Sequence, residues 1–345
     1  MIFITRGYTE LAKDKAVISA MDIHFRRISK FYEAKYFWPR GVDSENRIIA
    51  KQYGSILELA LLIFLDKERR YFTSEFLSVL IVKLFSPLSK VTYWVQGSIP
   101  DESYMRNKSK IRYYVSSALE FVGLTLSNEH IFVSDAMRSF YYRKYPILDF
   151  IKKRHCIVPC SSRLSYQSCD KIKDSYLYLG GMDPWQSFDK ICDIFNEINS
   201  FKPNAVFSII TRDKEKALKT LNLKNVKNFK VITINDSLNL SKEISKYEYG
   251  FLIRDDSNVN KVASPIKLGE YLSCGVRPII TSVVSAFEEI NSTEVCIVIP
   301  FCSKQGEIIS IINSVCHVNV ESVLELYQGI YSEDMIIKRM SNIFQ

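Results

Sequence analysis

The stretch Tyr249-Gly-Phe-Leu-Ile-Arg-Asp-Asp-Ser-Asn-Val-Asn-Lys-Val-Ala-Ser-Pro-Ile-Lys-Leu-Gly-Glu-Tyr-Leu-Ser-Cys-Gly-Val-Arg-Pro-Ile-Ile-Thr281 decides how the rest of the chain is read. It opens with an apolar run, Gly250 to Ile253, that reads as a buried strand. A polar loop, Arg254 to Ala263, leads to a helix start with Ser264 as N-cap and Pro265 at the first helical position, where a missing N–H costs nothing. Gly275 is placed to end that helix, and Arg277 to Thr281 begins the next strand. The result is a strand–loop–helix–strand unit of the kind that builds parallel sheets.

Within the helix, Leu268 and Leu272 are four apart and mark a buried stripe, which leaves Lys267, Glu270, Tyr271 and Cys274 on another face. A lysine in the first turn adds charge where the helix dipole is already positive. Spacing alone supports two readings. One is a solvated Lys–Glu pair at i, i+3. The other is an anion site, with Lys267 and the helix N-terminus facing a phosphate and Glu270, a turn deeper, accepting hydrogen bonds from a sugar diol.

Working outward, 345 residues suit two domains of roughly 150 to 200 residues, each with its own core. The longest apolar runs, Ile56–Leu65 and Phe76–Phe85, fall short of the roughly 18 residues a membrane span needs. The start at Ile2-Phe3-Ile4 reads as a strand, so no secretory signal is expected and the protein is expected in the cytoplasm. The eight cysteines (Cys156, Cys160, Cys169, Cys192, Cys274, Cys296, Cys302 and Cys316) form no Cys-x-x-Cys pair and read as reduced thiols. His155-Cys156-x-x-x-Cys160 has ligand-like spacing, but no second pair completes a metal site, so none is expected. Residues 1–158 hold 25 Lys and Arg against 16 Asp and Glu, while residues 159–345 hold 21 against 22, so the positive excess lies wholly in the first half. That excess suits an anionic membrane surface or a pyrophosphate-bearing lipid, or it is simply solvated; no nucleic-acid module accompanies it.

In the first half, Met1–Thr5 reads as a strand and Glu10–Phe31 has helical spacing. The basic, aromatic run His24–Arg40 suits either an interface with lipid headgroups or a segment that turns its rings inward. Ile56–Leu65 and Phe76–Phe85 read as buried helices. Lys90–Val95 alternates as a strand does and runs into Gln96-Gly97-Ser98-Ile99-Pro100-Asp101-Glu102, where Glu102 also reads as a helix N-terminal acid. Ser134 caps a helix after the strand from His130, and Cys160–Asp174 is a polar linker. In the second half, strand Ser175–Leu179 is followed by Gly180-Gly181, which lets backbone approach a phosphate, and then by Asp183 as N-cap with Pro184. Strands and helices then alternate, which favours a parallel sheet with Gly181, Arg212, Arg254 and Ser264 converging at the strands' carboxyl ends.

Ser264-Pro265-x-Lys267-x-x-Glu270-Tyr271-Leu272-x-x-Gly275-x-x-Pro278-Ile279-Ile280 closely resembles the donor-binding signature of group 1 (family 4) nucleotide-sugar glycosyltransferases, of the bacterial polysaccharide-synthesis type. The resemblance implies an α/β protein with two Rossmann-like domains facing across a cleft (GT-B): 1–160 on the acceptor side, 175–330 binding the nucleotide-sugar, and a terminal helix, 331–345, returning to the first domain. It implies transfer from a nucleotide-sugar co-substrate to a polysaccharide or lipid-linked acceptor at the inner membrane face, with retention of configuration and no separate cofactor. Lys267 would stabilise the leaving diphosphate, with Gln96 and Glu102 on the catalytic side. Glu270 would hold the ribose, and Gly97, Gly181, Arg212, Arg254, Asn260, Ser264 and Pro265 would complete the donor site. Four positions depart from the family: Gln96 replaces a histidine, Gly181 an arginine, Gln186 stands near the place of a lysine, and Val262 replaces a second glutamate whose contact would pass to Asp256, Asn258, Asn260 or loop backbone. A sugar-nucleotide epimerase of the same fold and an inactive sugar-nucleotide-binding scaffold are the rival expectations.

Overall fold

Aromatic and β-branched side chains suit a pleated, largely buried surface, and most of the seven short strands that pair in parallel in the first part of the chain are rich in them. They are β1 (Ile2–Ile4), β2 (Lys35–Pro39), β3 (Ile49–Tyr53), β4 (Arg70–Thr73), β5 (Lys90–Val95), β6 (Glu129–Phe132) and β7 (Arg154–Ile157), in the order β3-β2-β1-β4-β5-β6-β7. The structure, a computed structural model, describes residues 1–4, 15–42, 47–284, 295–301, 303, 305–314 and 319–345. Thr5, residues 10–14, Cys302, Cys316 and His317 of the sequence reading lie outside them. Helices α1 (Lys15–Ile28), α2 (Ile56–Leu65), α3 (Phe76–Phe85), α4 (Ile99–Asn107), α5 (Lys110–Leu126), α6 (Asp135–Lys144) and α7 (Ile147–Phe150) connect the strands. The chain divides into two compact units, Met1–Pro159 with Glu333–Gln345, and Cys160–Ser332.

The second unit repeats the pattern with β8 (Ile172–Leu179), β9 (Val206–Ile210), β10 (Phe229–Ile232), β11 (Tyr247–Leu252), β12 (Arg277–Thr281) and β13 (Ile297–Ile299), in the order β10-β9-β8-β11-β12-β13. Its helices include α8 (Phe188–Phe201), α9 (Lys214–Leu223), α10 (Ser237–Ser245), α11 (Asn258–Val262) and α12 (Ile266–Ser273). Both sheets therefore follow the doubly wound order in which strand succession reverses beside the first strand, here between β1 and β4 and between β8 and β11. Ligands of such sheets sit outside the carboxyl ends of the strands at that reversal.

Of the two readings of His24–Arg40, the structure agrees with the one that turns its rings inward: Tyr36, Phe37 and Trp38 are buried in β2 and Phe25 stacks on Tyr36 with ring centroids 4.6 Å apart. Other local readings are corrected. Helix α2 is not buried: Leu59, Ala60 and Ile63 face inward, while Leu57, Leu61 and Phe64 are exposed. Asp183 stands at the cap position with Pro184 at the first helical position as expected, but of a 3-10 turn, Pro184–Gln186, and without a side-chain cap hydrogen bond; α8 starts after Ser187, in the left-handed region at φ 50°. The run read as a linker is fastened to the second unit, with Ser165 and Gln167 N–H groups donating to Ser241 and Ser245 in α10 and Leu164 in the core.

Candidate functional site

Two chain reversals frame the site in the second unit. After β8 comes Gly180, at φ +125°, a conformation that strains any residue with a Cβ. A Cβ there would lie 2.7 Å from Lys267 Cε, so the glycine also makes room for that side chain. After β11 comes Arg254, whose backbone is clamped by Thr281 at the end of β12. Its N–H donates to Thr281 Oγ1 at 2.9 Å, and the Thr281 hydroxyl donates to its carbonyl at 3.0 Å. The Arg254 side chain is buried and donates through Nη1 to the Trp185 carbonyl at 2.7 Å.

Helix α12 brings in the second cation. Pro265 is extended (ψ 122°) and is itself the cap residue, so Ile266 is the first helical position rather than Pro265. Ser264 does not cap the helix as expected; its Oγ accepts the Cys160 N–H at 3.1 Å. Lys267, second in the helix and 8% exposed, lies 3.9 Å from the Tyr178 ring centroid and donates to Gln186 Oε1 at 2.6 Å. Burial pushes its ammonium well below the ordinary lysine range, and the neighbouring Arg254 charge adds to this. Burial likewise lowers Arg254 to about 10. Among the described residues neither cation makes an ion pair; Asp183 offsets both from a distance. Glu270 follows one turn on, partly exposed, with burial raising its carboxyl to about 7 against the pull of Lys267. Two buried, like-charged groups at the mouth of a parallel sheet can receive an anion, with a carboxylate beside them to accept from hydroxyls.

Tyr271 departs from the face assigned to it. It is fully buried, and its hydroxyl accepts from Leu179 N–H at 3.0 Å and donates to the Phe251 carbonyl at 3.1 Å. The phenol thereby ties β8 to β11 where the two strands diverge. A Cβ on Gly250 would lie 2.8 Å from its ring, so this glycine and this ring are matched. A glycine inside a strand is the sequence signal for such an approach. Helix α12 consequently reaches solvent only in part, at Ile266 and Glu270: Lys267, Leu268, Gly269, Tyr271, Leu272 and Ser273 are all buried.

Other expected donor residues divide by position. Gly181 follows Gly180 directly and accepts the Tyr178 hydroxyl at 2.5 Å. Arg212 is exposed just beyond β9. Asn260 is buried in α11, an element inside the expected loop, and its amide donates to the Asp255 carbonyl at 2.9 Å. Val262 is buried as well, and Asp256 pairs with Lys261.

No protein-family model matches the sequence, and no curated protein sequence matches it. Solved structures do. Sucrose-phosphate synthase from Thermosynechococcus elongatus superposes with a TM-score of 0.72 over 99% of this chain and 98% of its own, at 11% identity. The lipopolysaccharide outer core galactosyltransferase WaaB, in its apo form, gives 0.64 over 99% and 98%, at 12% identity. TarM of S. aureus, solved with fondaparinux, alpha-GlcNAc-glycerol and UDP, gives 0.65 over 84% of this chain at 11% identity. This chain spans 58% of that TarM chain. The fold is GT-B.

In the first unit of this GT-B chain, Gln96 and Gly97 follow β5, at the carboxyl edge of the sheet, and Glu102 sits in the first turn of α4. A Cβ on Gly97 would overlap Glu102 Oε1, so the carboxylate closes over the glycine backbone. Beneath it lies a network that the sequence pattern does not reveal. The Tyr141 hydroxyl reaches the Gly97 carbonyl at 3.0 Å and Glu120 Oε1 at 2.7 Å, and Lys144 Nζ and the Tyr145 hydroxyl donate to Glu120 Oε2 at 2.9 and 3.0 Å. Glu120 is buried, which raises its carboxyl despite these donors. Its partners on and just after α6 follow it by 21 to 25 residues, a separation with no helical or strand period to betray it.

Proposed function

We propose that this GT-B protein is a glycosyltransferase that moves a sugar from a nucleoside-diphosphate sugar to a growing bacterial surface polysaccharide, of the O-antigen or capsule type, or to its lipid-linked precursor. The observation that carries this reading is the pair of buried cations, Lys267 and Arg254, without an ion pair among the described residues and with Glu270 one turn away. A diphosphate would neutralise both charges. Lys267, already desolvated, would stabilise the charge that grows on the leaving diphosphate, where a preorganised donor in a dry site acts most strongly. Glu270 would accept from the ribose hydroxyls and take no part in bond making. Retention of configuration and reaction at the inner face of the cell membrane complete the reading. A donor site in which the protein's own charges do this work needs no further group for binding.

Thermal-shift titration with a panel of nucleoside diphosphates, followed by transfer assays with the matching sugar donor, tests the proposal. One nucleotide should raise the melting temperature progressively with concentration, and Lys267→Met and Glu270→Gln should each remove most of that response. Unchanged nucleotide affinity in both variants would overturn it. The binding-only alternative draws on Gln96, which cannot take a proton, and on the apolar, buried Val262; tight donor binding with neither transfer nor slow donor hydrolysis would favour it.

A further inference from the structure

The outer faces of three neighbouring helices in the first unit are apolar, where a helix lying on a sheet ordinarily turns polar residues to water. Helices α2, α3 and α5 pack side by side, α2 against α3 and α3 against α5. Each carries an outward stripe at helical spacing. On α2 it runs through Leu57, Leu61 and Phe64, on α3 it includes Leu84, and on α5 it runs from Ile111 through Tyr114. Leu57, Leu84 and Ile111 are 79%, 75% and 80% exposed, so these are bare side chains rather than the rims of a core. Large apolar side chains bared together on helices that pack side by side are uncommon on monomeric soluble proteins and mark a surface that something covers.

The charges around it say what. From Lys51 to Asn128 the exposed cations are Lys51, Lys67, Arg69, Lys90, Arg106, Lys108, Lys110 and Arg112, against the exposed Glu68 and the half-exposed Glu58. Within the three helices the only acids are Glu58, which is paired with Arg40, and Glu120, which is buried. Lys110 and Arg112 flank the stripe of α5 at its start, and Lys67 and Arg69 follow the stripe of α2. A second copy of the chain is a poor cover, since a two-fold contact would set these cations against themselves. Apolar stripes with exposed cations at the ends of their helices match the interface of an anionic bilayer, where rings and aliphatic chains enter the acyl boundary and cations meet headgroup phosphates. Among the described residues no helix is long and apolar enough to cross a membrane, so the contact would be lateral.

We propose that the outer face of α2, α3 and α5 is a docking surface for the anionic lipid bilayer. The inference deepens the proposed membrane-face setting by naming the surface that would dock, and its test can fail separately from the proposed reaction, because lipid binding is measured with neither donor nor acceptor present. Co-sedimentation of the full chain with phosphatidylcholine vesicles, and with phosphatidylcholine–phosphatidylglycerol vesicles, is the test. The chain should partition onto the anionic vesicles, less so as salt rises, and much less onto the neutral ones. The triple variant Leu57→Gln, Phe64→Gln, Leu84→Gln should lose about tenfold or more in partition coefficient with its melting temperature retained. Lys110→Gln with Arg112→Gln should weaken binding to anionic vesicles alone. A Phe64→Trp variant gives a readout independent of folding losses: its emission should shift to the blue on adding anionic vesicles. Failure of the unaltered chain to bind anionic vesicles at low salt, an unshifted Phe64→Trp emission, or a dimer in sedimentation velocity that the apolar triple variant disperses would each overturn the proposal.

Discussion

At the scale of single residues, Lys267 and Glu270 are each held against their ordinary charge states, and the signs can be worked out. Burial raises the Glu270 carboxyl to about 7, so from the ordinary carboxylate range up to that value the folded protein keeps a proton that the unfolded chain has released. Its contribution to stability is therefore full at low pH and falls as pH rises through this window. Glu270→Gln should come nearest the unaltered protein in melting temperature below about pH 4 and exceed it increasingly up to about pH 8. Nucleotide affinity should show the opposite trend. A ribose needs the carboxylate as acceptor, so binding should strengthen as pH rises through about 7 in the unaltered protein and stay flat and weaker in Glu270→Gln, as read by calorimetry. Lys267→Met keeps the volume and removes the desolvated charge. It should leave melting unchanged or higher while weakening diphosphate binding by roughly 10- to 100-fold, the worth of about 1.5–3 kcal/mol for a hydrogen bond to a charged group.

At the scale of elements, the Leu179 N–H and the Phe251 carbonyl at the β8–β11 divergence are joined through the Tyr271 hydroxyl. Tyr271→Phe strands that buried N–H and should cost about 1–3 kcal/mol in chemical denaturation, with a smaller effect if water enters. Lys267 and Glu270 are legible in the sequence because they sit at fixed spacing inside a recognisable helix start. Tyr271 is not, because Leu268 and Leu272 define the buried stripe and a helix enclosed on nearly every side has no polar face to reveal. The parallel strands of the second half are readable from their apolar runs between helices. In the first half, β2 carries Lys35 and three rings and so resembles a surface, and β3 exposes its central residues and gives no signal. Helix α2 misleads in the other direction: apolarity on every side suggests burial, yet one face of it is bare. Sequence does not show either that Ser264 Oγ accepts the Cys160 N–H or that the Asn260 amide donates to the Asp255 carbonyl, because both partners lie outside any regular helical or strand spacing.

At the scale of the whole molecule, the first unit is closed by residues from the far end of the chain. The terminal helix Glu333–Phe344 buries Ile336, Met340, Ile343 and Phe344. Arg154 donates to the Asn342 carbonyl at 2.8 Å, Tyr32 donates to the Phe344 carbonyl at 2.6 Å, and Arg27 pairs with Glu333 at 2.8 Å. Four large apolar side chains at about 1.5–3 kcal/mol each amount to roughly 6–12 kcal/mol of burial, comparable with the entire stability of a typical domain at about 5–15 kcal/mol. Ending the chain after Ser332 should therefore unfold the first unit or leave it open to protease. The second unit, Cys160–Ser332, keeps all of its own sheet and the Lys267 site in such a truncation. Limited proteolysis with mass mapping should then show cuts confined to Met1–Pro159, and the nucleotide that stabilises the full chain should still protect the remaining fragment. Cuts distributed equally through both units, with or without nucleotide, would show that the terminal helix supports the molecule as one cooperative body instead.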